Sequence, residues 1–257
     1  MHAPPASGAL LADRLALVTG AGQGNGRAIA IGLAAAGAGV VVTDLGLEAA
    51  RSTAAAIAEA SGQAWAFALD VTDAKACADL ARRVGEEIGP VAIVVNNAGI
   101  IARDTIDSPR AHERWREVMD VNLNGVFNVT HAWLPALRRS RGSIINVASI
   151  ASFVGIGQAL GYSPSKGAVK QFTQALARDL AADGIRVNAI APGVIDTPMT
   201  AHTRDDPARL AGFMQRTPLG RVGQPEELVG PVVFLASDMA SYVNGVTLPV
   251  DGGFLAG

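Results

Sequence analysis

The chain has almost no cysteine. Cys77 is the only one in 257 residues. An intramolecular disulfide is therefore excluded, and a reducing compartment fits, so a cytoplasmic protein is expected. Charge of either sign is not in excess. The 21 Lys and Arg against 23 Asp and Glu leave a net charge of −2. No basic stripe appears, so no nucleic-acid partner is expected. No apolar run reaches the length of a membrane span, so no membrane partner is expected either. His2, His112, His131 and His202 show no metal-ligand spacing, and no metal site is expected. Residues 1–8 lack the basic stretch and apolar core of a signal peptide, and a flexible tail is expected over residues 1–10. Internal repeats and low-complexity blocks are missing as well.

What is present is an apolar chain, 49% hydrophobic and only 17% charged. That balance suits a sheet buried on both faces beneath helices. Runs of β-forming residues at 15–19, 39–44, 64–69, 91–95, 143–147, 186–190 and 247–250 have the length of strands. Helical periodicity falls at 27–36, 48–60, 74–88, 111–120, 123–139, 163–182 and 226–236. The alternation runs without a linker. It predicts one α/β domain over residues 11–257: a Rossmann-like, doubly wound parallel sheet of about seven strands with helices on both faces. Residues 198–224 carry prolines and no long apolar period, and read as a lid over a substrate site.

The first strand ends in a glycine-rich turn, Gly20-Ala21-Gly22-Gln23-Gly24-Asn25-Gly26, and a helix follows. Glycines let the backbone turn tightly and admit a phosphate without a Cβ in the way. The helix N-terminus then offers free N–H groups and the positive end of its dipole. The strict G-x-G-x-x-G pattern is not cleanly met. The second strand ends in Asp44, followed by Leu45 rather than a basic residue. An acid there suits the ribose diol of NAD and repels the extra phosphate of NADP, so NAD is the expected cofactor.

Tyr162 precedes Lys166 by four residues, one helical turn, so both side chains share a face. An ordinary phenol, with a pKa of about 10, is a poor base at neutral pH. The lysine charge is expected to favour the phenolate and lower that pKa. A phenol so tuned takes a proton from an alcohol or returns it to a carbonyl.

Taken together, Thr19-Gly20, Gly24-Asn25-Gly26, Asn96-Asn97-Ala98-Gly99, Ser149 and the Tyr162/Lys166 pair resemble the short-chain dehydrogenase/reductase family. The likeness runs from about Leu11 to the C-terminus. It implies a catalytic tetrad of Asn122, Ser149, Tyr162 and Lys166, with Asn122 holding a water that links Lys166 to solvent. It implies cofactor contacts from Gly20, Gln23, Gly24, Asn25 and Gly26, from Asp44 and Leu45, and from Asp70 and Val71 beside the adenine. Asn97, Ala98 and Gly99 would lie along the cofactor, Tyr162 and Lys166 near its nicotinamide end, and Pro192, Gly193, Ile195 and Thr197 at the carboxamide. Asn25 departs from the apolar residue usual at its place. Within the family the chain is similar to sugar-acid and polyol dehydrogenases, of which gluconate 5-dehydrogenase and deoxygluconate dehydrogenase are examples.

The expected activity is thus NAD-dependent interconversion of a secondary alcohol (polyol, sugar acid or hydroxy acid) and its ketone. Candidate substrate residues are Arg103, Ala151, Phe153, Gln158, Met199 and His202, with Phe213 and Met214. Arg103 is a candidate partner for a substrate carboxylate. Two alternatives stand beside this reading. One is a 3-oxoacyl-[acyl-carrier-protein] reductase, for which Arg138, Arg139 and Arg141 would form a basic docking patch. The other is a non-catalytic NAD-binding protein on the same fold. The resemblance also implies a homotetramer, with 123–133 and 228–235 as candidate faces.

Overall fold

Each β-forming run becomes a strand of one sheet. A computed structural model of the protein describes residues 9–257, so the expected tail at 1–8 lies outside the described residues. Ala9 and Leu10 belong to a turn in which the Ala12 N–H donates to the Ala9 carbonyl at 3.1 Å. In chain order the elements are β1 (Leu15–Val18), α1 (Gly24–Ala35), β2 (Gly39–Asp44), α2 (Leu47–Glu59), β3 (Ala64–Ala68), α3 (Ala74–Glu87), β4 (Ile93–Asn96) and α4 (Ala111–Met119). There follow α5 (Gly125–Ser140), β5 (Ser143–Val147), α6 (Tyr162–Asp179), β6 (Arg186–Pro192), α7 (Ala201–Arg204), α8 (Pro207–Met214), α9 (Val229–Ala236) and β7 (Thr247–Val250).

The sheet has seven strands, all parallel, in the order β3-β2-β1-β4-β5-β6-β7. Its central strands are mostly apolar because both faces are covered. One face packs Val18, Val40 and Ile145 against Ile29 and Leu33 of α1, Ile57 of α2 and Leu235 of α9. The other packs Leu17, Val41 and Ile144 against Val84 of α3 and Trp133 and Leu137 of α5. Burying each such side chain contributes about 1.5–3 kcal/mol. Exposed ion pairs such as Arg51–Glu48 and Lys75–Asp79 are screened by solvent and contribute little beside this burial. Layered apolar packing therefore holds the fold.

Three local features depart from the sequence reading. The helices expected at 111–120 and 123–139 are joined through a π-type turn, Asp120–Asn124, instead of being separated. The last helix starts later than expected, at Val229, after a 3₁₀ turn over Pro225–Leu228. A proline at the first position suits such an entry turn. Helix α6 stops at Asp179, and a short 3₁₀ turn, Ala181–Asp183, leads to Gly184 at φ +73°, a left-handed value favourable to glycine. Segment 198–224 contains a 3₁₀ turn at Pro198–Thr200, then α7 and α8. Among the described residues no helix is long and apolar enough to cross a membrane.

Candidate active site

The chain winds outward in opposite directions from β1 and β4, which leaves a crevice at their carboxyl ends. A cleft of about 320 Å³ opens there. On one wall lie Gly20, Gln23, Gly24, Asn25 and Gly26 of the β1–α1 turn. Gly24 has φ +51°, and a Cβ on Gly26 would fall 2.2 Å from the Gly20 carbonyl oxygen, so this turn needs glycine at both places. Helix α1 starts at Gly24 without a side-chain cap and without an acid in its first turn. Its first N–H groups are thus not claimed by a side-chain cap, in a turn that lines the cleft. Buried nearby, the Asn25 Oδ1 has no hydrogen-bond partner.

Asp44 closes the far end beside Leu45, which is exposed. The carboxylate accepts from Gly22 N–H at 2.9 Å and Gly46 N–H at 3.1 Å, which fixes it at the lip. Asp70 and Val71 line the cleft next to it, and the Asp70 carboxylate accepts from the Thr72 backbone and hydroxyl. Asn97, Ala98 and Gly99 form the floor. The Asn97 amide donates to the Thr19 and Gly20 carbonyls, both at 2.9 Å, and so ties the glycine turn to the end of β4. Pro192, Gly193, Ile195 and Thr197 reach the cleft from the loop after β6. Every residue that the sequence assigned to the dinucleotide thus faces one cleft. An uncapped helix start, an orphaned acceptor and an acid at the end of β2 together fit a dinucleotide. Among the described residues no cluster of His, Cys, Asp and Glu could hold a metal.

Of the four candidate catalytic residues, Ser149, Tyr162 and Lys166 line the inner end of the cleft, and Asn122 lies buried behind it. Asn122 sits in the π-type turn and is fully buried. It donates to the Ile100 carbonyl and the Ser165 hydroxyl, both at 3.0 Å, and accepts from the Ile100 N–H at 2.8 Å. Its side chain is engaged on the loop after β4 and on α6 rather than turned toward solvent. Lys166 is also buried, and its ammonium donates to the Val147 carbonyl at 2.7 Å. Burial lowers the Lys166 pKa to about 8.

The electrostatics of Tyr162 differ from the sequence expectation. Burial pushes the phenol above its ordinary value, and a hydrogen bond with Ser149 pulls the other way. The Lys166 ammonium stands 5.9 Å from the centre of the tyrosine ring. The neighbour that lowers the phenol pKa here is therefore Ser149, not Lys166. The Ser149 hydroxyl also accepts from the Ala151 N–H at 3.1 Å.

Beyond Ser149 and Tyr162 lies a second cavity of about 480 Å³, roofed by the 3₁₀ turn at Pro198–Thr200, α7 and α8. Arg103, Gln158, Met199 and Phe213 line it. Ala151, Phe153, His202 and Met214 do not, which corrects their place as candidate lining residues. Ala151 is buried beneath the site, and Phe153 is turned outward with the Lys170 ammonium 4.0 Å from its ring centre. His202 lies on the exposed side of α7, whose inward residue is Thr203. Ser149 and Tyr162 border both cavities. A ring held in the first and an alcohol held in the second would meet at the phenol.

Several contributors carry no local motif. Arg209, Arg216, Thr203 and Phe254 line the second cavity from distant parts of the chain. Asn96 donates to Thr130 at 3.0 Å and to Asn146 at 2.8 Å, and Asn146 donates to Thr173 at 2.9 Å, in a buried chain under the site. Polar residues inside otherwise apolar strands were its one sequence signal.

Known proteins are similar to this chain in sequence and fold. A family model described as enoyl-(acyl carrier protein) reductase matches residues 20–255. The 2-dehydro-3-deoxy-D-gluconate 5-dehydrogenase of Bacillus subtilis is 45% identical over 192 residues, 74% of this chain and 74% of that protein. The 3-oxoacyl-[acyl-carrier-protein] reductase of Thermotoga maritima is 41% identical over 190 residues, 74% of this chain and 76% of that protein. The crystal structure of a gluconate 5-dehydrogenase from Burkholderia cenocepacia, in complex with NADP and tartrate, matches with a TM-score of 0.92 at 37% identity. It covers 96% of this chain and 97% of its own. With its cleft, its Ser-Tyr-Lys-Asn cluster and these relatives, the chain belongs to the short-chain dehydrogenase/reductase family, oxidoreductases that use a nicotinamide cofactor.

Proposed function

We propose that the protein interconverts a secondary alcohol and its ketone, with Tyr162 as general acid and base and NAD(H) as the preferred cofactor. One observation carries this reading: Ser149 and Tyr162 stand at the seam between the dinucleotide cleft and the second cavity. When bound, the nicotinamide supplies the hydride acceptor or donor. The Tyr162 oxygen takes the alcohol proton in one direction and returns it in the other. Ser149 donates to the substrate oxygen and stabilises the charge that develops there. Lys166, pinned by the Val147 carbonyl at the inner end of the cleft, is placed to hold the nicotinamide ribose. Asn122 fixes the loop after β4 against α6, and its backbone is our candidate support for the water linking Lys166 to solvent. The test is a panel of secondary alcohols, polyols and sugar acids with each dinucleotide, followed at 340 nm. Absence of turnover across the panel would contradict this activity.

The preference for NAD rests on Asp44. Its carboxylate lies at the lip where a ribose 2′ substituent would sit, and like charges repel there. The B. cenocepacia relative was crystallised with NADP, so comparing kcat/KM for the two dinucleotides is decisive. Sugar acids and polyols are the proposed substrates, as the names of the gluconate relatives suggest. The T. maritima relative supports the alternative of a 3-oxoacyl-[acyl-carrier-protein] reductase. Against it, Arg138 of the expected docking patch is already paired with Asp183 at 2.8 Å. Faster reduction of a ketoacyl thioester with NADPH than of any sugar ketone with NADH would favour the alternative. We also propose segment 198–224 as the substrate lid and a homotetramer as the assembly. Phe127 on α5, half exposed and stacked on His131 at 5.8 Å, marks one candidate face.

A further inference from the structure

The second cavity is lined by three arginines and no acid. Arg103, in the loop after β4, donates to the Thr203 hydroxyl at 2.9 Å. Arg209, on α8, donates to the Gln158 amide oxygen at 2.8 Å, while its Nε is buried without a hydrogen-bond partner. The nearest carboxylate oxygen, Oδ2 of Asp206, lies 3.5 Å from that Nε and outside the cavity lining. The other oxygen of Asp206 caps α8 through the Ala208 and Arg209 N–H groups. Arg216 rests on the Phe254 ring at 4.2 Å. Arg103 and Arg209 line the same cavity, and burial, with the charge of Arg209 added, lowers the Arg103 pKa. Crowding like charges in a partly buried site is unfavourable unless an anion joins them. Gln158, which holds Arg209, sits at φ +56° although it is not glycine. A left-handed backbone of this kind costs on the order of 1 kcal/mol and persists where surrounding structure enforces it.

We propose that Arg103 and Arg209 form a two-sided clamp for the carboxylate of an acidic substrate, whose alcohol end is then left at Ser149 and Tyr162. The clamp rests on the dehydrogenase reading above and narrows it, from alcohols in general to hydroxy acids and sugar acids, with neutral polyols disfavoured. Planar guanidiniums suit this task because each offers paired N–H donors to the two carboxylate oxygens. Arg209 is the newly assigned specificity residue, and α8 carries it over the site.

The experiment is calorimetric titration of the full chain with NADH bound, so that an alcohol binds without turnover. The probes are D-gluconate, L-tartrate and D-glucitol, the uncharged counterpart of gluconate. At least one acid should bind tenfold or more tighter than glucitol. That ratio should fall at least fivefold in Arg209→Gln and in Arg103→Gln, with Arg209→Lys intermediate. Melting midpoints identify any variant that fails to fold, and the other variant then decides. Equal binding of acids and glucitol, no binding of either acid, or a preference that survives in a folded variant overturns the clamp. Turnover at 340 nm is a separate readout. A clamp that binds acids in a protein that oxidises no alcohol would contradict the dehydrogenase reading and leave the clamp standing.

Discussion

Tyr162 shows what a sequence motif carries and what it leaves out. The four-residue spacing to Lys166 put both side chains on one helical face, and both border the cleft. Spacing did not reveal that the ammonium turns to the Val147 carbonyl, or that Ser149 is the group that lowers the phenol pKa. Those facts depend on the end of β5 and the turn after it, which lie outside α6. Ser149→Ala should therefore shift the rising limb of the oxidation rate to higher pH, because it removes that lowering influence. A pH profile of kcat/KM unchanged in this variant would refute the assignment. Asp44→Ala should weaken NAD binding and narrow the gap between NAD and NADP, measured as the ratio of their kcat/KM values. An unchanged ratio would show that Asp44 does not select the cofactor.

At the scale of elements, the β1 turn and the lid behave differently as sequence. The glycine turn was readable because each glycine answers a local steric demand. Gly26 lies against the Gly20 carbonyl and the Asn97 amide, where a Cβ would sit at 2.2 and 2.4 Å. Gly26→Ala should push the turn away from the cleft, weaken dinucleotide binding at least tenfold and lower stability by about 1–3 kcal/mol. Dinucleotide titration with a parallel thermal melt checks both, and native affinity would show the turn to be more tolerant than its geometry implies. The π-type turn at Asp120–Asn124 escaped the sequence reading, since helix periodicity on each side suggested two separate helices. One extra residue in the turn directs Asn122 inward, and such bulges often occur at functional sites. Arg209 was invisible for another reason. Nothing local marks it, and only the fold of α8 over the site brings it near Arg103.

For the whole molecule, alternating strand and helix patterns made the parallel sheet and its two faces legible. Element ends were less so, because capping turns and 3₁₀ entries carry little periodicity. Trp133 is almost fully buried between the sheet and α3, and its ring N–H has no partner. Trp133→Ala should cost about 3–5 kcal/mol, or roughly 6–20 °C of melting temperature. Trp133→Phe should cost less, because it also removes the unpaired N–H. Equal melting points for both variants and the native protein would place Trp133 outside the core. Burial of Lys166 gives the fold a pH signature as well. The unfolded chain keeps an ordinary lysine pKa near 10.5, and the native one is about 8. Between those values the unfolded state binds more protons, so this group makes stability rise with pH. Urea melts of protein without dinucleotide, compared with Lys166→Met, isolate that slope, and identical slopes would contradict it.

Single-turnover hydride transfer at 340 nm in Tyr162→Phe, alongside dinucleotide affinity measured by fluorescence titration, tests the central assignment most directly. The rate should drop by about 10²–10⁴ or more while the dinucleotide binds as in the native protein. A near-native rate in a variant that still binds its cofactor would mean that some other group moves the proton.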